Sequence, residues 1–117
     1  MNDILQLAWS DESGNKHIIG ELNKTNEKYV FKYDSEGVKK AYEYGFQPLI
    51  SFPSLNAIYE NRLLFPVFSS RLPDRRRSDI GKILDMYQLT AYEPFELLKS
   101  SGGKLPTDKF EFIALET

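Results

Sequence analysis

Residues 64–80 read LFPVFSSRLPDRRRSDI, a short apolar segment bounded by two prolines and followed by three consecutive arginines. Pro66 suits the first turn of a helix, where its missing N–H is not needed. Pro73 ends that helix about two turns later, because the residue before a proline is pushed out of the α region. Phe65, Phe68 and Leu72 recur at spacings of three and four, so the helix has one apolar face and buries it. Arg75, Arg76 and Arg77 then leave a Pro-Asp turn, where burial is difficult. Core on one side and exposed cation on the other single out this stretch. No reaction can be read from it.

Outward from this stretch, the strand and helix periods alternate. Residues 3–10 predict a strand, with Leu5, Leu7 and Trp9 on one face. A polar turn over 11–16 leads to a second strand, 17–23, read with Ile18 and Leu22 on one face and Gly20 between them. A third strand, 28–33, alternates Tyr29, Phe31 and Tyr33. Three strands joined by short turns make an antiparallel meander, which needs a covering layer. Asp34 or Ser35 can cap a helix running to about Tyr44, with Val38, Ala41 and Tyr42 as its apolar stripe and Gly45 as its stop. The segment 46–55 reads as extended and lies along the core through Leu49, Ile50 and Phe52. A short helical turn is predicted around Ile58 and Tyr59. Beyond the arginines, Ser78 caps a helix to about Leu89 with Ile80, Ile83, Leu84 and Tyr87 in period. Pro94 opens another helix, with Phe95, Leu97 and Leu98 buried, and Gly102-Gly103 closes it. Phe110, Phe112 and Ala114 alternate in a last strand that returns to the N-terminal sheet. The expected fold is α+β: a small antiparallel sheet, an N-terminal meander plus a C-terminal strand, packed against three to four short helices.

Composition limits the function classes. A length of 117 residues predicts one domain, 1–117, with a real core. Without cysteine there is no disulfide framework, no cysteine nucleophile and none of the common structural zinc sites. No apolar run is long enough to span a membrane and Met1-Asn2-Asp3 does not start a signal peptide, so the expected location is the cytoplasm. The net charge of −2 favours no polyanion overall. Residues 62–82 nevertheless hold Arg62, Arg71, Arg75, Arg76, Arg77 and Lys82 against Asp74 and Asp79, a local net of +4 that leaves −6 on the rest. Such a cluster is either a solvated surface or a binding site.

Catalytic patterns are missing. His17 is the only histidine, with no nucleophile elbow in the chain and no spaced cluster of metal ligands around it, so it reads as a partly exposed strand residue. Ser101-Gly102-Gly103-Lys104 lacks phosphate-loop spacing and follows a helix where a phosphate loop precedes one. Asp11-Glu12 and the pair Glu93 and Glu96 read as caps or solubilising charges. Trp9, Tyr29, Phe31 and Tyr33, interleaved with Lys28 and Lys32, read as core before they read as a base-stacking surface. No cofactor and no metal are called for.

The order of motifs resembles the N-terminal subdomain of the HipA-type serine/threonine kinases of bacterial toxin–antitoxin systems. The matching stretches are Tyr29-Val30-Phe31-Lys32-Tyr33, Gln47-Pro48-Leu49-Ile50-Ser51-Phe52-Pro53, residues 64–77, and Pro94-Phe95-Glu96-Leu97-Leu98. The resemblance implies a non-enzymatic module, because this subdomain carries no catalytic residues in the family. A stand-alone copy is similar to the small split-off partner called HipS. It implies an antitoxin-like protein that binds and restrains a HipA-like kinase toxin, with a helix-turn-helix DNA-binding protein as a further partner in the system. The candidate partner-binding residues are Arg71, Asp74, Arg75, Arg76, Arg77 and Asp79. Ser-Gly-Gly at 101–103 and the run from Thr107 to Phe112 are also similar to HipA-N-like domains that precede HIRAN modules. That likeness implies the alternative, a nucleic-acid-associated accessory domain binding phosphates through the arginine loop.

Overall fold

Five strands of the chain form a single antiparallel sheet in the computed structural model, which describes residues 3–115. In chain order the elements are β1 (Asp3–Ser10), β2 (Lys16–Lys24), β3 (Tyr29–Tyr33), α1 (Ser35–Tyr42), β4 (Tyr59–Asn61), α2 (Pro66–Ser69), α3 (Ile80–Met86), α4 (Pro94–Ser101) and β5 (Phe110–Ala114). The sheet order is β4-β3-β2-β1-β5. The fold is α+β with a meander and a returning C-terminal strand, as the sequence predicts. Leu5, Leu7, Leu22, Phe31, Tyr33 and Phe112 join Val38, Ala41, Phe46, Phe52, Phe68, Phe95 and Leu98 in one core. The opposite sheet face mixes apolar residues such as Val30 and Ile113 with ion pairs. There Lys32 lies 3.6 Å from its register partner Glu21, and Lys16 lies 2.7 Å from Glu111. One apolar and one solvated face is the usual economy of an antiparallel sheet.

The β1–β2 ladder slips between Leu7 and Ala8. Leu7 faces Gly20 and Ala8 faces Ile18, so Ile19 is an extra residue on β2. This bulge breaks the period of two. Ile19, not Ile18, is therefore fully buried, while Ile18 stays half-buried. Gly20 has its own constraint: a Cβ there would stand 2.8 Å from Phe31 Cζ and 2.9 Å from the Lys32 carbonyl oxygen. The Phe31 ring thus occupies the space a side chain would need. From that position it packs on Tyr33 at 5.2 Å, Phe52 at 4.6 Å and Phe68 at 5.4 Å between centroids.

Three further expectations are corrected. Tyr59 does not begin a helical turn; it starts β4 and pairs with Phe31. The open backbone edge of β3 accepts this segment, and the Tyr59 ring packs on Phe52 at 4.8 Å. Ile50 does not lie along the core but is 98% exposed. The Tyr33 hydroxyl sets this path: it donates to the Phe52 carbonyl at 2.7 Å and accepts from the Leu49 N–H at 2.9 Å. With Leu49 and Phe52 tied inward, Ile50 between them turns out. Tyr42 is exposed as well, because α1 buries only Val38 and Ala41. Asp34 is the cap of α1, accepting from the Gly37 N–H at 2.9 Å.

Gly20→Ala tests the packing of Phe31 on bare backbone. Overfilling of this kind costs about 1–3 kcal/mol. Urea unfolding of the variant is expected to show a lowered midpoint with an unchanged slope.

A candidate partner-binding loop

Local sequence chemistry builds the region upward from α2. Pro66 occupies the first helical turn, and Phe65 and Phe68 are buried, with their rings 5.9 Å apart. The chain leaves this anchored turn through Leu72 and Pro73. Arg71, one residue earlier, points back into the fold. Its Nε donates to the Gly103 carbonyl at 2.5 Å, Nη1 and Nη2 donate to Asp108 at 2.9 and 2.6 Å, and Nη2 also donates to the Phe110 carbonyl at 3.1 Å. Its side chain is 7% exposed. These donors are spent within the fold, apart from the loop that follows. The Arg71 guanidinium also holds the Asp108 carboxyl below the usual carboxylate range.

Residues 74–79 pair their charges over short spans. Asp74 accepts from the Arg76 N–H at 2.8 Å, from its Nε at 3.2 Å and from its Nη2 at 3.0 Å. The Arg76 guanidinium and amide together hold the Asp74 carboxyl down to about 2. Arg77 makes the mirror arrangement, donating through Nε and Nη2 to Asp79 at 2.8 and 2.9 Å. That pairing holds Asp79 below its ordinary range. It also changes how α3 begins. Asp79, not Ser78, is the N-cap residue, and its carboxylate makes no capping bond because Arg77 holds it. The predicted stripe Ile80, Ile83, Leu84 and Tyr87 is only half-buried, and α3 contains no fully buried residue.

Arg75 is different. No ion pair forms to it among the described residues; its guanidinium lies 4.7 Å over the Tyr92 ring. The Tyr92 hydroxyl donates to the Pro73 carbonyl, which fixes the ring beneath the loop. Burial pushes the Tyr92 phenol up. An open cleft of about 440 Å³ adjoins this pair, with Ser69, Ser70, Leu72 and Pro94 in its walls. Tyr92 is the residue that sequence reasoning missed. Its one available signal was an aromatic two residues before Pro94, at the entrance to α4.

His17 is the partly exposed strand residue expected, in β2, and it has a partner. Its side chain is 11% exposed, and Nε2 lies 2.9 Å from Asp11 Oδ2. Its ring lies between Trp9 and Tyr44, at 5.7 and 5.2 Å. Asp11 is 3% exposed and also accepts from the Ser13 and Asn15 N–H groups. His17, the largest influence, and these amides hold the Asp11 carboxyl below its ordinary range. Among the described residues no hydroxyl bonds the free ring nitrogen, so the pair locks a hairpin turn rather than activating a nucleophile. No group of three metal-ligating side chains forms, and no helix is long and apolar enough to cross a membrane, among the described residues.

Arg71→Met tests the inward arginine. Leaving the Gly103 and Phe110 carbonyls unpaired costs about 1–3 kcal/mol. Because Asp108 titrates below its unfolded value, its pairing stabilises the fold above the ordinary carboxylate pKa of about 3.9 and is lost as pH falls below it. The gap in denaturation midpoint between the two proteins is therefore expected to be constant near neutrality and to narrow below about pH 4.

Residues 13–106 match the family model described as the HipA N-terminal domain, which is more than half of the chain. No curated protein matches it.

Proposed function

This chain belongs to the HipA N-terminal domain family, and from that premise we propose that it is a non-enzymatic regulatory module that binds and restrains a HipA-like serine/threonine kinase. The family ties the chain to the HipA theme of toxin–antitoxin systems. Family membership supports a role without catalysis, since the HipA N-terminal domain is a non-catalytic subdomain. In this reading residues 1–117 act as one domain. A helix-turn-helix DNA-binding protein completes the system as a separate partner.

The observation that carries the reading is the loop of residues 74–79. It rises from a core-anchored helix, presents Arg75, Arg76 and Arg77 outward, and holds each of them in a set geometry. Arginine so held suits charge-assisted contacts to a protein surface. The phosphate-binding alternative draws less support from the same geometry. Counterion release grows with the number of phosphates neutralised. Asp74 and Asp79 already hold two of the three arginines.

Co-expression with a HipA-like kinase encoded beside this chain is the test. A complex that survives size-exclusion chromatography, with the kinase slowed in it, is expected. Replacing Arg75, Arg76 and Arg77 together by alanine is expected to weaken the complex about tenfold or more. Failure of any neighbouring kinase to bind overturns the reading. Binding of single-stranded DNA at low salt, lost in the same triple variant, favours the alternative.

A further inference from the structure

Three consecutive arginines look equivalent in the sequence, but the structure makes them unequal. Two pairs, Asp74 with Arg76 and Arg77 with Asp79, close within the loop. Arg75 is the arginine left over. The Asp74 carboxylate, on which the Arg75 charge acts, already accepts three bonds from Arg76. A new anion reaching Arg76 or Arg77 meets a charge already offset by a two-point ion pair, whereas one reaching Arg75 meets a charge with no ion pair among the described residues. The Arg75 guanidinium carbon lies 4.7 Å over the Tyr92 ring, and a guanidinium held over a ring by cation–π attraction keeps N–H groups free for two-point contact with an oxyanion. The hydrogen bond from Tyr92 to Pro73 ties this platform to the loop two residues before Arg75, so little freedom remains to be lost on binding.

From this we infer that Arg75 and Tyr92 form a receptor for one carboxylate, supplied by an Asp or Glu side chain in an extended acidic segment of the protein partner. Charge complementarity selects this occupant. The cleft offers one unpaired cation, which matches a monoanionic carboxylate and leaves a phosphoryl dianion under-neutralised. The rest of the wall suits a peptide. Leu72, Pro73 and Pro94 are apolar, the Asp74 carboxylate in the wall is held by Arg76, and the Ser69 and Ser70 hydroxyls donate to the Pro66 and Val67 carbonyls and so present their oxygens as acceptors. Those oxygens can receive backbone N–H groups from the segment. The inference rests on the loop being the partner face, as proposed above, and names the chemistry that this face reads.

The experiment is a titration of the full chain, followed by nuclear magnetic resonance, with a capped tetra-glutamate peptide and, at matched ionic strength, with inorganic phosphate. Saturable shifts are expected at the Arg75 side chain, the Tyr92 ring and residues 69–73, produced by the peptide and not by phosphate. Arg75→Ala is expected to weaken peptide binding at least tenfold, and Arg75→Lys, which keeps charge but loses the planar fork, to weaken it several-fold. Arg76→Ala also weakens it, because the Asp74 carboxylate is then released to compete for Arg75. Unshifted strand resonances verify that each variant keeps its fold. Shifts spread evenly over lysines and arginines, equal losses from Arg75→Ala and Arg62→Ala, or phosphate binding as well as the peptide overturns the assignment. Peptide binding without kinase binding upholds the cleft and removes the proposed partner. Kinase binding untouched by Arg75→Ala, with no peptide binding, removes the cleft and leaves the partner.

Discussion

The Arg71 guanidinium is the tie on which the second half of the chain depends. It joins three places that are remote in sequence: the end of α2, the turn after α4 and the outer edge of β5. Gly102 and Gly103 both have positive φ, so the chain reverses there and aims two carbonyls at the edge of β5. The Gly102 carbonyl accepts from the Phe112 N–H at 2.6 Å, and the Gly103 carbonyl accepts from Arg71. A side chain at Gly103 would meet Leu98 at 2.6 Å, so that turn has no room to spare. An edge strand otherwise presents unpaired N–H and C=O groups to any passing chain. Here Asp108 and Arg71 satisfy the Phe110 N–H and C=O, Gly102 accepts from the Phe112 N–H, and the sheet ends at β5.

Where the local pattern and the tertiary constraint agree, the fold was legible in the sequence. Pro66 and Pro94 open helices, Gly102 ends one, and the alternation over 29–33 and 110–114 makes strands whose apolar faces reach the core. Misreadings fall where a remote partner decides. Nothing in residues 17–23 announces that Ile19 is the extra residue of a bulge, because the slip exists only relative to β1. Residues 59–61 are too few to show a period, and they become a strand because β3 has an open edge. Ile50 turns outward because one tyrosine hydroxyl, on the residue 16 before Leu49, claims the backbone on both sides of it.

The candidate site follows the same rule. Composition locates the cationic loop but cannot say which arginine turns inward, since Arg71 and Arg75 differ only in what the fold brings to them. Pairing at a spacing of two was open to sequence reasoning through the flanking aspartates of the Asp-Arg-Arg-Arg-Ser-Asp run. Tyr92 under Arg75 was not, because 16 intervening residues separate them and only the entry to α4 sets their distance. His17 likewise finds Asp11 across a hairpin whose register the bulge has altered. Its carboxylate partner is legible only once that turn is built.

Pairing inside the loop also has a kinetic side. Charges that cancel over a few ångströms look like short dipoles from a distance, and at physiological ionic strength their field fades within about 8 Å. In the proposed role the two closed pairs therefore act little at a distance, and Arg75 is the charge of residues 74–79 without an ion pair among the described residues. In that role, steering from residues 74–79 comes from Arg75 alone, and encounters start near the neutral rate, about 10⁵–10⁶ M⁻¹s⁻¹. Discrimination between correct and incorrect partners is then left to how slowly the docked pair separates.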